Sequence, residues 1–418
     1  MIVEPVQRVA GTVRVPGDKS IAHRALMLGA LADGEQTVRG VPDAADVAST
    51  LTCLQALGAE VRTVGGEIRI RRGTWRSGQT LDAGNSGTTV RLLSGLVAGL
   101  SIQATFTGDS SLSQRPMERI AGPLRKMGAS VSTTEGHLPI TIEGGGLKGI
   151  RYRLLVASAQ VKSAIMFAAL NADTETTLQE PVATRDHSER MLRAMGADLT
   201  RSSHAITIRP GTLRGTEVDV PGDISSAAFF AVAAACLRDS YVRLEHTGVN
   251  PTRTGILEAL EAMGATVTFE NKTERAGEPV ADVTVRSGEL RAIEIDATAV
   301  PALIDELPVL AVAATQARGT TVVSGAGELR HKESDRIATI VDALSRLGAN
   351  IEAREDGFVV HGPTPLAGAT LPSGGDHRIA MAMAVAGLFA SGRTAIEESA
   401  AVQISYPGFF DDLQTLTR

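Results

Sequence analysis

Two apolar patterns recur along the chain at regular intervals. In the first, a helix-like apolar stretch ends at a Leu-Gly or Met-Gly pair, and an alternating run such as Ile206-Thr207-Ile208 soon follows. These glycines are Gly58, Gly128, Gly196, Gly264 and Gly348, and they lie 70, 68, 68 and 84 residues apart. Glycine readily adopts the left-handed conformation that ends many helices, and an alternating run is typical of a half-buried strand. The pattern predicts a repeated unit of about 70 residues.

In the second pattern, a small or polar residue opens an Ala-rich apolar stretch that is typical of a buried helix. These openings lie at Asp18, Asn85, Ser158, Asp223, near Ile304 and at Asp376. Each repeat therefore predicts helix, strand, helix, strand and strand, and six repeats account for the 418 residues. The sixth runs out of chain after the helix-like residues 409–416, so we expect the strand-like residues 2–15 to complete it.

The repeats predict an α/β (α+β) fold of two lobes, each with three units closed around buried helices. One lobe would comprise residues 18–222, and the other residues 1–17 plus 223–418. The chain would cross between lobes near Pro16-Gly17 and Pro221-Gly222, and two such crossings form a hinge that favours ligand binding between the lobes. A solenoid scaffold without chemistry is the alternative, but solenoid repeats are shorter, at about 20–45 residues.

Composition and charge exclude several classes of function. With 43% hydrophobic and 21% charged residues the chain can fold, and its net charge of −6 gives no overall positive field for a nucleic acid. Aromatic residues make up 3%, too few for stacking of single-stranded nucleic acid. The N-terminus lacks the basic and apolar regions of a signal peptide, and no apolar run is long enough to span a membrane. We expect a cytoplasmic protein that binds anions at a local cluster of cations.

The sequence also lacks the signatures of a metal site or a nucleotide loop. Its two cysteines and eight histidines show no ligand spacing. No phosphate-binding loop of the G-x-x-x-x-G-K-[ST] type occurs. We therefore expect no metal and no cofactor.

Cations and hydroxyl groups cluster where the first helices of the repeats begin. Helix N-termini favour anions, because their backbone N–H groups are free and the helix dipole is positive there. The groups at three such starts are Lys19, Ser20 and Arg24, then Asn85, Thr88 and Arg91, then Ser158, Ala159 and Gln160. Taken singly, Ser and Asn are ordinary helix caps. Three starts in register, two of them with Arg, indicate an anion site.

Further cations and two carboxylates lie in other segments. The cations are Arg115, Arg185, Lys332, Arg336 and Arg378. Lys332 and Arg336 carry like charges four residues apart and would repel without an anion to share. We expect these cations to line one cleft, with room for two small molecules that each carry a phosphate and a carboxylate. Asp305 and Glu333 are the candidate acids and bases, although Asp305 is equally compatible with a helix cap.

These motifs resemble the 5-enolpyruvylshikimate-3-phosphate (EPSP) synthase family over the full length of the chain. The matching segments are Asp18-Lys19-Ser20 with Arg24, Asn85-Ser86-Gly87-Thr88 with Arg91, Arg115-Pro116, Ser158-Ala159-Gln160, Asp305-Glu306, Lys332-Glu333-Ser334-Asp335-Arg336 and Asp376-His377-Arg378. That family has two lobes, each of three β-α-β-α-β-β units. The resemblance implies transfer of the enolpyruvyl group of phosphoenolpyruvate to the 5-hydroxyl of shikimate 3-phosphate, with release of phosphate. This reaction belongs to the shikimate pathway, which leads through chorismate to aromatic amino acids.

The resemblance also implies a role for each matching residue. Shikimate 3-phosphate would contact Lys19, Ser20, Arg24, Ser158, Ala159, Gln160, Arg185, Asp305 and Lys332. Phosphoenolpyruvate would contact Lys19, Gly87, Arg115, Gln160, Arg336 and Arg378. Asn85, Thr88, Arg91 and His377 would line the rest of the cleft. Asp305 and Glu333, assisted by Lys19, would transfer the protons, and which carboxylate serves which step stays open. We expect a monomer whose partners are these two substrates.

The sequence departs from the family pattern at three positions and agrees with it at a fourth. Ile404 stands where some members carry a Lys that contacts phosphoenolpyruvate, and Asp18 and His331 stand where some have Ser and Val. Gly87 leaves room where larger residues obstruct glyphosate in other members. We therefore predict that glyphosate inhibits the enzyme in competition with phosphoenolpyruvate.

Two related activities are the alternatives. The sister enzyme that transfers enolpyruvyl to UDP-N-acetylglucosamine uses a Cys in the loop before Arg115, and residues 108–114 contain none. An RNA 3′-phosphate cyclase-like protein would be built from similar units. That activity needs a nucleotide-accepting His and a basic surface, which the net negative charge opposes.

Overall fold

The computed structural model describes residues 1–202 and 205–417, and within them the repeats are visible as secondary structure. The strands are β1 (Ile2–Val3), β2 (Ala10–Val13), β3 (Gln36–Arg39), β4 (Glu60–Val64), β5 (Glu67–Arg71), β6 (Gln79–Asp82), β7 (Gln103–Thr107), β8 (Ser130–Thr134), β9 (His137–Glu143), β10 (Arg151–Arg153), β11 (Thr176–Gln179), β12 (Leu199–Arg201), β13 (Ala205–Ile208), β14 (Glu217–Asp219), β15 (Tyr241–Gly248), β16 (Thr266–Arg275), β17 (Glu278–Arg286), β18 (Glu294–Ile295), β19 (Gly319–Val323), β20 (Asn350–Arg354), β21 (Gly357–Gly362), β22 (Thr370–Pro372) and β23 (Thr394–Glu397). The helices are α1 (Lys19–Leu31), α2 (Ala45–Leu57), α3 (Gly87–Ala98), α4 (Ser110–Ser113), α5 (Glu118–Met127), α6 (Ala159–Ala169), α7 (His187–Ala194), α8 (Ile224–Cys236), α9 (Gly255–Met263), α10 (Val300–Leu303), α11 (Leu307–Ala314), α12 (Arg336–Arg346), α13 (His377–Gly387) and α14 (Phe409–Leu416), and the 3-10 helices span Gly327–His331 and Ser399–Ile404.

The five glycines that define the first sequence pattern all have a positive φ. The angles are 105° at Gly58, 109° at Gly128, 90° at Gly196, 117° at Gly264 and 89° at Gly348. A residue with a Cβ rarely adopts this conformation, so glycine ends each of these helices at low cost. The predicted repeat boundary is therefore confirmed in the backbone.

Repeats 2, 3 and 5 each form one four-stranded sheet with the same strand order. In repeat 2 the order is β6-β7-β9-β8, in which β6 and β7 are parallel and the other pairs are antiparallel. Repeats 3 and 5 give β10-β11-β13-β12 and β18-β19-β21-β20 in the same way. The β-α-β-α-β-β unit is the structural repeat.

The leading strands of repeats 1 and 4 are exchanged. Strand β2 runs into α1 of repeat 1 but pairs in parallel with β15 of repeat 4. Strand β14 runs into α8 of repeat 4 but pairs in parallel with β3 of repeat 1. The prediction that residues 2–15 complete the sixth repeat is confirmed for β1, which pairs with β23, and is wrong for β2. The hydrophobic pattern of a short strand does not specify which sheet edge it joins.

The chain divides into two compact lobes. The N-terminal lobe comprises residues 17–220 together with 274–278, and the C-terminal lobe comprises residues 1–16, 221–273 and 279–418. The turn between β16 and β17 thus belongs to the N-terminal lobe, whereas the sequence assigned all of 223–418 to the other. The alternating pattern of β16 and β17 does not indicate that the turn between them belongs to a different lobe from the strands.

The N-terminal lobe is built around the buried helices α1, α3 and α6. Helices α3 and α6 approach so closely that a Cβ on Gly95 would lie 2.0 Å from the carbonyl oxygen of Ala164. Such a contact is impossible for any side chain, so Gly95 permits the packing. This close approach fixes α3 and α6 against each other in the lobe core.

The C-terminal lobe has α8, α11 and α13 in the equivalent positions. From Leu307 to Ala314, every residue of α11 is buried. Phe230 of α8 stacks edge-on to Tyr406, and Phe409 of α14 packs against both rings. Aromatic residues are scarce in this chain, and several of them stabilise this one core.

Two predicted helix starts are shifted. The residue that caps α3 is Ser86, whose side chain accepts a hydrogen bond from the Thr89 N–H, and not Asn85. The helix predicted near Ile304 is divided into α10 and α11, because Pro301 and Pro308 each favour a new first turn.

Candidate functional site

In the N-terminal lobe, two guanidinium groups converge on the start of α3. A Cβ on Gly87 would lie 3.2 Å from Nη1 of Arg91 and 3.4 Å from Nη1 of Arg115. Asn85 accepts a 2.7 Å hydrogen bond from Nη2 of Arg115 and donates one of 2.7 Å to Asp109. The first turn of α3 therefore meets two cations in the position where its own N–H groups favour an anion.

Gln160 links the starts of α3 and α6. Its Oε1 accepts a 2.6 Å hydrogen bond from Nη1 of Arg91, and its Nε2 donates one of 3.0 Å to the Thr88 hydroxyl. Ser158 caps α6 by accepting a hydrogen bond from the Val161 N–H. The sequence patterns at residues 85–91 and 158–163 are thus brought together as predicted.

Arg24 is buried and held by three hydrogen bonds. Its Nε donates to Ser188 at 2.7 Å, its Nη1 to the carbonyl of Ser20 at 2.8 Å and its Nη2 to Ser163 at 2.9 Å. Guanidinium has five N–H donors, and these three bonds use one on each nitrogen. Burial lowers the pKa of Arg24 to about 10, and the nearby Arg185 acts in the same direction. Arg24 is still a cation at neutral pH.

Lys19 begins α1 and forms an ion pair. Its Nζ lies 2.8 Å from Oδ2 of Asp46, a residue in the first turn of α2. Asp18 caps α1 by accepting a hydrogen bond from the Ile21 N–H. Asp at position 18 therefore does what Ser would do there, and this departure from the family pattern leaves the helix start intact.

In the C-terminal lobe, Asp305 is the anion that Lys332 and Arg336 share. Its Oδ1 lies 3.3 Å from Nζ of Lys332 and 3.3 Å from Nη1 of Arg336. The expected repulsion between these cations is thus relieved by a carboxylate of the chain itself. Glu306, and not Asp305, occupies the cap position of α11, so the alternative role of Asp305 as a helix cap is wrong.

Arg336 is buried and contacts three carboxylates of this lobe. Its Nε lies 2.8 Å from Oδ2 of Asp376, and its Nη2 lies 2.5 Å from Oε2 of Glu333. Burial works against the charge, but Asp376, Glu333 and Asp305 together raise the pKa of Arg336 above its ordinary value. Burial likewise opposes ionisation of Asp376, and Arg336 holds the pKa of that carboxyl below its ordinary value.

Arg378 and His377 lie at the start of α13. Nη1 of Arg378 donates a 3.2 Å hydrogen bond to the backbone carbonyl of Asp305, and its Nη2 lies 3.9 Å from Oδ2 of the same residue. Asp376 caps the helix by accepting from the Arg378 N–H at 2.9 Å. His377 is buried. Asp305, Lys332, Glu333, Arg336 and Arg378 therefore form one cluster.

Sequence reasoning missed the residues that hold the predicted cations. Asp46, Asp109 and Ser188 each contact a predicted site residue. They lie in segments whose patterns indicate only helices and turns. Ser163, which also contacts Arg24, lies in the segment 158–163 that the sequence pattern marked.

Metal and membrane features can be stated for residues 1–202 and 205–417. Among them no group of three or more His, Cys, Asp and Glu side chains is placed to hold a metal ion. No helix in that part of the chain combines the length and apolar character needed to cross a bilayer.

Comparison with known proteins gives one consistent result. The family model described as EPSP synthase (3-phosphoshikimate 1-carboxyvinyltransferase) matches residues 3–413. Curated relatives named 3-phosphoshikimate 1-carboxyvinyltransferase include those of Bacillus thuringiensis strain Al Hakam, 47% identical over 425 residues, and Bacillus cereus strain 03BB102, 47% identical over 424 residues; both alignments cover 100% of this chain and 99% of the relative.

Solved structures agree. An EPSP synthase from Acinetobacter baumannii superposes with a TM-score of 0.88 at 44% identity, covering 99% of this chain and 97% of that one. The enolpyruvyl transferase NikO from Streptomyces tendae gives a TM-score of 0.80 at 20% identity, covering 99% and 96%. At that identity the second likeness shows the fold alone.

Proposed function

The chain belongs to the EPSP synthase (3-phosphoshikimate 1-carboxyvinyltransferase) family, and from that membership we propose how its two cationic clusters carry out the reaction. The reaction transfers the enolpyruvyl group of phosphoenolpyruvate to the 5-hydroxyl of shikimate 3-phosphate and releases phosphate. Both substrates carry a phosphate and a carboxylate. A site for them needs several cations, which the two clusters supply.

The observation that carries the proposal is the pair of guanidinium groups at Gly87. Arg91 and Arg115 both approach this residue, which has no side chain and begins a helix. Arg binds phosphate and carboxylate through paired N–H donors, and the helix N-terminus adds backbone donors. The absence of a Cβ leaves the space that a small anion needs.

In the N-terminal lobe we assign most contacts to shikimate 3-phosphate. Ser158, the backbone of Ala159 and Arg185 would bind its phosphate. Lys19, Ser20, Arg24 and Gln160 would bind its hydroxyls and carboxylate. Phosphoenolpyruvate would take Lys19, Gly87, Arg115 and Gln160, with Asn85, Thr88, Arg91 and, in the other lobe, His377 as supporting groups.

In the C-terminal lobe we assign Asp305 and Lys332 to shikimate 3-phosphate, and Arg336 and Arg378 to phosphoenolpyruvate. The carboxylates here are already paired with these cations. A substrate anion would therefore compete with Asp305 and Glu333 for the same cations. Such competition would free a carboxylate to accept a proton when substrate binds.

The chemistry needs two proton transfers at one carbon. Protonation of C3 of phosphoenolpyruvate makes C2 electrophilic, and the substrate hydroxyl loses its proton as its oxygen bonds to C2. C3 then loses a proton as the bond from C2 to the phosphate oxygen breaks. We assign these transfers to Asp305 and Glu333, with Lys19 assisting, because both carboxylates lie beside the proposed substrate cations. The division of steps between the two stays open.

We further propose that the protein acts as a monomer in the cytoplasm. One chain supplies all six repeats, and phosphoenolpyruvate is a metabolite of that compartment. We expect no cofactor, and neither a nucleic acid nor a membrane as partner.

One assay tests the activity. The purified protein should release phosphate from phosphoenolpyruvate when shikimate 3-phosphate is present, and should not when UDP-N-acetylglucosamine replaces it. Release with the nucleotide sugar alone would favour the sister enzyme. A protein that bound no shikimate 3-phosphate and released no phosphate would favour a scaffold or the cyclase-like activity.

A further inference from the structure

A second buried charge cluster in the C-terminal lobe contains none of the residues assigned above to the substrates or the proton transfers. It consists of Asp223, Ser225, Arg253 and Glu306, all less than a tenth exposed. Buried charges cost free energy unless they are paired and hydrogen-bonded, so a cluster of this kind needs an explanation.

The cluster is held together by direct contacts. Oε1 of Glu306 accepts a hydrogen bond from the Ser225 hydroxyl and lies 3.9 Å from Nη2 of Arg253. The same Nη2 donates to the Ser225 oxygen at 2.7 Å and to Oδ1 of Asp223 at 3.2 Å. Arg253 therefore lies between two carboxylates, and Ser225 accepts a hydrogen bond from Arg253 while it donates one to Glu306.

These contacts connect the starts of all three buried helices of the lobe. Asp223 caps α8, Glu306 immediately precedes α11, and Arg378 is the second residue of α13. Nη1 of Arg378 lies 3.8 Å from Oε1 of Glu306 and donates to the Asp305 carbonyl at 3.2 Å. Two neighbouring residues, Asp305 and Glu306, thus hold one nitrogen of Arg378 from two sides.

We propose that Glu306 is a positioning residue, which orients the Arg378 guanidinium and fixes the backbone that carries Asp305. The inference rests on the proposed function, in which Arg378 binds phosphoenolpyruvate and Asp305 transfers a proton. Arginine has a long flexible side chain, and its Nη2 already lies 3.9 Å from the Asp305 carboxylate. Without the charge of Glu306, the Arg378 guanidinium would move onto the Asp305 carboxylate. Arg378 would then be less available to phosphoenolpyruvate, and Asp305 would be less available to bind shikimate 3-phosphate and transfer a proton.

Ser225→Ala and Glu306→Gln test the proposal in the full-length enzyme. Ser225→Ala removes the hydroxyl that holds Glu306 and leaves every charge in place. Ser226→Ala is the matched control, since Ser226 is the next residue of the same helix and is also buried. We measure kcat, KM for each substrate and the thermal midpoint of every variant.

We expect KM for phosphoenolpyruvate to rise about tenfold in Glu306→Gln and about threefold in Ser225→Ala, with lower kcat in both, as for loss of one charged or one neutral hydrogen bond. KM for shikimate 3-phosphate should change less, and Ser226→Ala should match the parent. A merely structural role would lower the thermal midpoint and leave the ratio of the two KM values unchanged. That result would overturn the proposal. If Glu306→Gln does not fold, the KM values of Ser225→Ala alone decide whether the proposal stands.

Arg378→Lys separates this inference from the proposed function. If Arg378→Lys leaves KM for phosphoenolpyruvate unchanged, the assignment of Arg378 is wrong and the positioning role falls with it. If Arg378→Lys raises that KM while Glu306→Gln and Ser225→Ala do not, the assignment stands and Glu306 is not a positioning residue. Support requires that all three raise it, and that Glu306→Gln adds little on the Arg378→Lys background.

Discussion

Nε of Arg24 donates a 2.7 Å hydrogen bond to the hydroxyl of Ser188, a residue 164 positions further along the chain. Ser188 in turn lies 2.6 Å from the Ser163 hydroxyl, which accepts from Nη2 of the same guanidinium. Two hydroxyls from α6 and α7 thus hold one edge of the Arg24 guanidinium, which fixes the orientation of the whole group.

This arrangement predicts that Ser163→Ala and Ser188→Ala weaken binding of shikimate 3-phosphate. Each change removes one neutral hydrogen bond, so we expect KM for this substrate to rise about three- to tenfold. KM for phosphoenolpyruvate should stay within about twofold, because Arg24 is not assigned to it. Steady-state kinetics with each substrate varied in turn give both values. Equal changes in the two KM values would argue against a specific role for Arg24.

Lys19 is predicted to be indispensable for turnover. Its ammonium lies 2.8 Å from Asp46 and would bridge to both substrates in the proposed site. Lys19→Met should lower kcat by about a thousandfold, as expected for loss of an acid-base or charge-stabilising group. The fold should persist, because the ion pair is partly exposed and contributes little to stability. Circular dichroism and the phosphate-release assay give the two readouts.

The control for Lys19 is Lys148→Met, a change of the same type at an exposed position outside the site. It should leave kcat unchanged. Near-normal turnover in Lys19→Met would remove Lys19 from the mechanism.

The regular parts of the fold could be predicted from the sequence, and the irregular parts could not. Gly58 and its equivalents mark a backbone conformation that glycine adopts at little cost, so their spacing revealed the repeat directly. The pairing of β2 with β15 depends on which sheet edge is open in the folded molecule, which a four-residue strand does not encode. Local patterns specify local geometry, and exchange between sheets is a property of the whole chain.

The candidate site likewise has features that the sequence predicted and features that it did not. Arg91, Gln160 and Thr88 were found because each lies at a helix start that the pattern marked. Asp305 was found, but its partners Lys332 and Arg336 were expected to wait for a substrate anion, and instead they share its carboxylate. Lys332 precedes α12, which begins at Arg336, so the two cations do not share a helix as their spacing suggested, and the anion between them comes from a separate segment of the chain.

Gly87 is predicted to control the size of the molecule that binds beside it. A Cβ there would lie 3.2 Å from Arg91 and 3.4 Å from Arg115, so both guanidinium groups would have to move. Gly87→Ala should raise KM for phosphoenolpyruvate about tenfold, as one methyl group in a tight pocket does. Glyphosate should inhibit the parent enzyme in competition with phosphoenolpyruvate, and inhibit Gly87→Ala more weakly.

Gly122→Ala is the matched control, since a Cβ at Gly122 would meet nothing within 4 Å. It should leave KM and inhibition unchanged. A parent enzyme indifferent to glyphosate at substrate-like concentrations would contradict the assignment of Gly87.

His23 is predicted to make stability depend on pH. Burial lowers its pKa to about 4, with Asp46, Lys19, Arg24 and Asp18 as the charged groups around it, and the unfolded value is about 6.5. Between these values the unfolded chain binds a proton that the folded protein excludes, so stability falls by about 3 kcal/mol as the pH drops from 6.5 to 4. In His23→Gln this contribution should vanish, which urea unfolding at several pH values measures. His361→Gln, at a partly exposed strand position, should retain the parent slope, and a parent slope in His23→Gln would show that other groups cause the acid sensitivity.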